Sequence, residues 1–118
     1  MTKFESKIFG WIVQDCEDDA LKRQLQSANI LGRRNTGSGC YSEIKVADGV
    51  DATSANYGQR GPLDGPKFES AMLKHGGGTL LWFENGFAKT LEIFTYEDNF
   101  PSNHDEPCAC ASDRSAFA

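Results

Sequence analysis

His104, Cys108 and Cys110 fall within one short C-terminal stretch. Imidazole and thiolate are the donors that zinc and copper take, so this trio offers three ligands. A fourth, His75 or Cys40, has to come from elsewhere by folding. The plain reading is a tail with two free thiols and no cofactor, with zinc as the alternative. Cys-x-Cys is less specific than paired Cys-x-x-Cys knuckles, and none occurs here. His75-Gly76-Gly77-Gly78 has the look of an oxyanion loop, in which backbone N–H groups approach a developing negative charge. That chemistry also needs a Gly-x-Ser-x-Gly elbow and a larger sheet. Ser38 lies between Gly37 and Gly39 without the elbow spacing, so no catalytic residue is assigned. The plain reading is a glycine-rich helix stop leading into a strand.

Glu92 lies between Leu91 and Ile93 in the most apolar stretch of the chain. A carboxylate aimed at an apolar face must be paired or have a raised pKa. Arg33 or Arg34 is the partner expected for a structural ion pair, and a catalytic acid is the sharper reading. Arg33, His75, Glu92 and Tyr96 together make a candidate small-ligand site. Asp15, Glu17, Asp18 and Asp19 form an acidic cluster without the spacing of a calcium loop. They read as a solvated face or, with Tyr57 and the 47–66 loop, as a surface for a protein partner.

The 118 residues make one domain, with 17 acids against 12 bases and a net charge of −5. That balance argues against a nucleic-acid partner, which needs clustered Lys and Arg. The longest apolar run, Ile8–Val13, is far short of the roughly 20 residues that cross a bilayer. It is also too short for a secretory core, so a cytoplasmic protein with reduced thiols is expected. Cys16 and Cys40 then act as small buried hydrophobes.

These candidates need elements to position them. Thr2-x-x-Glu5 fits a capping box, and Phe4, Ile8, Trp11 and Ile12 share one helical face. The stripe slips at the acidic cluster, which predicts a kink or a second helix capped by Asp15 or Asp18, ending near Asn29. Ile30-Leu31 opens a short strand, residues 33–39 read as a turn, and Cys40–Val46 alternates as a half-buried strand. A short helix is expected from Pro66 to Gly76. Asn85-Gly86 predicts a two-residue type I′ turn, pairing Glu84 with Phe87, Trp82 with Lys89 and Leu80 with Leu91. Both faces of that hairpin are apolar, which predicts cover on both sides. Residues 102–118 read as a loosely held tail beyond a domain at 1–101.

Thr36-Gly37-Ser38-Gly39, Gly76-Gly77-Gly78, Leu81-Trp82-Phe83-Glu84-Asn85-Gly86 and Leu91-Glu92-Ile93-Phe94-Thr95-Tyr96, with Pro101 after, form a progression. It resembles small bacterial domain-of-unknown-function proteins with a TGxG, hGxG, LExhTY pattern, some of them immunity proteins of toxin systems. The resemblance covers about residues 30–101 and implies no activity. Cys40 stands where an aromatic or aliphatic residue is expected, and the Cys-x-Cys tail lies outside the pattern.

The expected fold is therefore α+β, an N-terminal helical region packed on an antiparallel sheet of four to five strands centred on the 79–96 hairpin. A half-open β-barrel plugged by a helix is the alternative. The expected function is a non-catalytic, immunity-like protein-binding module, since an acidic surface steers onto a basic partner. The second option is a small-ligand or metal-binding protein. A third is a homo-oligomer burying Phe9, Trp11 and the second hairpin face between copies.

Overall fold

The computed structural model describes residues 1–53, 61–70, 73–96 and 116–117, with backbone alone for 69–70, 73–75 and 116–117. Two helices, α1 (Lys3–Asp15) and α2 (Asp19–Gln26), precede the strands β1 (Asn29–Asn35), β2 (Gly39–Lys45), β3 (Leu63–Asp64), β4 (Phe68–Ser70), β5 (Leu73–Glu84), β6 (Phe87–Thr95) and β7 (Ala116–Phe117). All pairings are antiparallel, in the order β1-β2-β6-β5-β4-β7, with β3 also pairing β5. Five strands of three or more residues carry the sheet, and the β5–β6 hairpin sits at its centre. This is the expected α+β arrangement. Two residues of the expected tail, 116 and 117, pair with β4.

The helices start where the side chains dictate. Thr2 and Glu5 form both halves of the capping box on α1. The break falls at Cys16, and Asp18 caps α2 by accepting from the Leu21 N–H at 3.1 Å. The Asp18 carboxylate also accepts from the Thr53 hydroxyl, tying the loop after β2 to the helix junction. Asp18→Ala removes both bonds. It is expected to lower stability by about 1–2 kcal/mol, read as a fall in the urea midpoint at unchanged slope.

Phe4, Ile8, Phe9 and Ile12 of α1 and Leu21 and Leu25 of α2 bury against one sheet face. That face presents Cys40 and Ile44 from β2, Leu81 from β5, and Ala88, Leu91 and Ile93 from β6. Phe68 meets Phe4 edge to face, with ring centres 4.9 Å apart.

Four expectations are corrected. Residues 33–35 belong to β1 and are not turn, because Asn35 and Gly37 supply a tighter reversal than the sequence suggested. The Asn35 side chain accepts from the Gly37 N–H at 2.8 Å, and Gly37 sits at φ 89°. The segment expected as a helix from Pro66 to Gly76 contributes strand instead, in β4 and β5. Glycines 76–78 have low helix propensity, and β6 supplies a ladder for them. The hairpin has its type I′ turn, with Asn85 at φ 54° and Gly86 at φ 86°. Beyond Phe83–Ala88 the register slips by one, so Trp82 pairs with Thr90, Leu81 with Leu91 and Leu80 with Glu92. Lys89 is the extra residue of this bulge.

The slip has a large consequence, because side chains alternate faces along a strand. It puts Leu81, Leu91 and Ile93 together on the helix-covered side. Leu80, Trp82, Thr90, Glu92 and Phe94 share the other. Cover on both sides is the fourth expectation corrected: among the described residues the helices cover one face, and Trp82 on the other is 40% exposed.

Candidate functional site

Two groups of polar side chains stand out, one on each face of the sheet. On the covered face, Glu5 lies at 0% exposure where α1 crosses the sheet. Arg33 grips its carboxylate with two hydrogen bonds, Nε at 3.0 Å and a terminal nitrogen at 2.7 Å. The Ser42 hydroxyl donates at 2.7 Å, and the Thr2 backbone N–H donates at 2.8 Å. Burial pushes the Glu5 pKa up, but the bonds from Arg33, Thr2 and Ser42 and the Arg33 charge outweigh it, and the net direction is down. Cys40 Sγ lies 4.0 Å from Ser42 Oγ, and burial holds its thiol above the ordinary value. A protonated thiol at 1% exposure is inert. Ser42, at 0% exposure, offers its hydroxyl to no solvent-borne substrate. The cluster has the parts of a nucleophile relay and no access, so its role is structural.

Among the described residues the other face is open. Arg34 and Tyr41 face each other across β1 and β2, and the guanidinium carbon stands 5.2 Å from the centre of the Tyr41 ring. Across β5 and β6, the Trp82 indole Nε1–H donates to Glu92 Oε1 at 3.0 Å. Each ring is thus held by a polar partner. Between them, Gly32, Arg33, Arg34, Tyr41, Glu43, Trp82 and Thr90 line a groove of about 630 Å³ running across the strands. Further along, Phe94 and Tyr96 pack edge to face at 5.7 Å over Gly78. A Cβ on Gly78 would strike the Phe94 ring, and one on Gly77 would strike the Phe94 carbonyl oxygen. The glycine run therefore serves close aromatic and backbone packing inside β5. It is not a free oxyanion loop, because Gly77 and Gly78 pair with Thr95 and Phe94 in the ladder.

The expected ligand residues divide between the faces. Arg33 turns to Glu5, while Glu92 and Tyr96 lie on the open face and Glu92 takes the Trp82 indole as its partner. His75 lies in β5, and its side chain is outside the described residues. Tyr57, His104, Cys108 and Cys110 are likewise outside them. Among the described residues no group of three His, Cys, Asp or Glu side chains is placed to hold a metal ion. No helix among them is long and apolar enough to cross a membrane.

The acidic cluster sits at the α1–α2 junction. Asp15 and Glu17 line a cleft of about 280 Å³ with Trp11, Cys16 and Asp64. Asp19 is exposed, and Asp18 is engaged as the helix cap. Two residues with larger structural roles were missed in the sequence, Glu5 as an ion-pair hub and Gln24 as a buried amide. Both fall on the apolar stripes, Glu5 beside Phe4 and Gln24 beside Leu21 and Leu25, and that position was the available signal.

Comparison with known proteins finds no matching family model, no matching curated protein and no matching solved structure.

Proposed function

We propose that this chain is a non-catalytic protein-binding module of the immunity type, acting in the cytoplasm, and that its partner docks on the open sheet face. The observation that supports this reading is the make-up of that face. It gathers Arg34, Tyr41, Trp82 and Tyr96 on a rigid scaffold, and Trp, Tyr and Arg dominate the energetics of protein interfaces. Trp82 and Tyr96 are 40% and 48% exposed, an unusual outlay of aromatic surface for a chain with a complete core elsewhere. Both rings that flank the groove are already held by polar partners, so little side-chain freedom is lost on docking.

The acidic junction is the competing surface, and the two are separable by mutation. Once a partner is captured from the host lysate, Trp82→Ala is expected to weaken binding by about 2 kcal/mol, near thirtyfold. The triple change Asp15→Asn, Glu17→Gln, Asp19→Asn is expected to slow association without that loss of affinity. Titration calorimetry and stopped-flow association rates read both. Full affinity in Trp82→Ala, with the loss in the triple variant, reverses the assignment.

A further inference from the structure

We propose that the transverse groove on the open face is a site for a small zwitterion, an α-amino acid with an apolar side chain. The inference goes beyond protein docking and stands whether or not a partner covers this face.

The groove has a size suited to a small molecule. Its volume of about 630 Å³ falls within the roughly 300–1,000 Å³ of small-ligand pockets. Its floor is low because Gly32 has no side chain and Thr90 a short one, whereas Trp82 and Tyr41 are large. A Cβ placed on Gly32 meets no atom within 4 Å, so the space above it is empty.

The polar groups are arranged for two opposite charges. Arg34 and Glu43 both line the groove, and neither forms an ion pair among the described residues. Arg33, the other cation of the lining, is neutralised by Glu5. The Arg34 guanidinium carbon stands 5.2 Å from the centre of the Tyr41 ring, and among the described residues its N–H groups have no carboxylate partner, so they can fork onto the carboxylate of a ligand. Glu43 accepts from an ammonium. A ligand carrying both groups satisfies both residues at once, while a simple anion or cation leaves one unmatched. Trp82, held by Glu92, supplies an apolar wall for the ligand's side chain.

The test uses three probes on the isolated chain: L-phenylalanine, its decarboxylated analogue phenethylamine, and its deaminated analogue 3-phenylpropionate. Binding is followed by the Trp82 indole N–H signal in heteronuclear NMR. Phenylalanine is expected to saturate at millimolar concentration or below, at least about tenfold tighter than either analogue. Arg34→Gln is expected to reduce its affinity to that of phenethylamine, and Glu43→Gln to that of 3-phenylpropionate. Gly32→Leu fills the groove and is expected to abolish saturation with an unchanged urea midpoint. The proposal is overturned if no probe gives a saturable shift, if all three bind alike, or if neither charge variant alters the preference. Since no partner enters the experiment, its failure leaves the protein-binding reading standing, and failure to capture a partner leaves this one standing.

Discussion

Replacing Arg33 with methionine is expected to cost about 3 kcal/mol of folding stability, a large share of what a domain of this size possesses. The change leaves the Glu5 carboxylate at 0% exposure with its hydroxyl and backbone donors but without its counter-charge. Removing one member of a buried pair typically costs about 3–5 kcal/mol, because a charge is then left in a poorly solvated place. The lower end applies here, since the Arg33 side chain is 23% exposed and water can follow it in. The double change Glu5→Leu, Arg33→Met removes both charges and should recover much of the loss, though the Ser42 hydroxyl and Thr2 N–H then lose their acceptor. Urea unfolding of the single and double variants checks both. A double variant no more stable than Arg33→Met contradicts the assignment.

The same pair sets an acid limb. The folded pKa of Glu5 lies below its ordinary value, so the folded state holds its proton less tightly than the unfolded chain does. Its contribution is therefore complete above the ordinary carboxylate range and is lost as pH falls through the lowered folded value. Arg33→Met removes the largest of the lowering causes and leaves the Thr2 and Ser42 bonds, so less of the acid-side loss of stability should remain in a titration of the unfolding free energy.

Gln24 carries the second large effect. Its amide is buried at 0% exposure and fully used. Nε2 donates to the Asp51 and Gly86 carbonyls at 2.9 and 3.0 Å, and Oε1 accepts from the Ala88 N–H at 2.9 Å. One side chain from α2 thereby pins the central hairpin turn and the loop after β2 together. Gln24→Leu keeps the bulk and leaves the Ala88 N–H and the Asp51 carbonyl without this partner, while Gly86 keeps its bond from the Thr53 N–H at 2.9 Å. A cost of about 2–3 kcal/mol follows. Gln24→Glu is expected to be worse, because it sets a buried carboxylate against two carbonyl oxygens. Hydrogen exchange at Ala88 should quicken in both variants. An unchanged urea midpoint in Gln24→Leu contradicts the role.

Local rules made much of this fold legible in the sequence. The capping box at Thr2 and Glu5, the second cap at Asp18 and the Asn85-Gly86 turn each depend on a few adjacent residues, and each is present. The inward set Cys40, Ser42 and Ile44 followed from alternation alone. What escaped was set by distant partners. The bulge at Lys89 reflects how β6 fits β2 on one side and β5 on the other, and no pattern within 79–96 announces it. Without it the outward grouping of Leu80, Trp82, Glu92 and Phe94 is invisible, and the hairpin looks sealed on both faces. Arg33 and Arg34 read alike as letters, yet alternation sends one under the helix to Glu5 and the other over Tyr41. Phe68–Ser70 form strand because they pair with β5, a demand that local propensity does not express.

The chain's two tryptophans offer the most direct test of where a partner binds. Trp82 reports on the open sheet face and Trp11 on the acidic cleft between the end of α1 and β3. Fluorine NMR of the fluorotryptophan-labelled chain, titrated with the captured partner, resolves them as two signals. A docking partner on the sheet face is expected to move and broaden the Trp82 signal and leave that of Trp11 in place. A shifted Trp11 beside an unmoved Trp82 would contradict the account and place the interface at the helix junction.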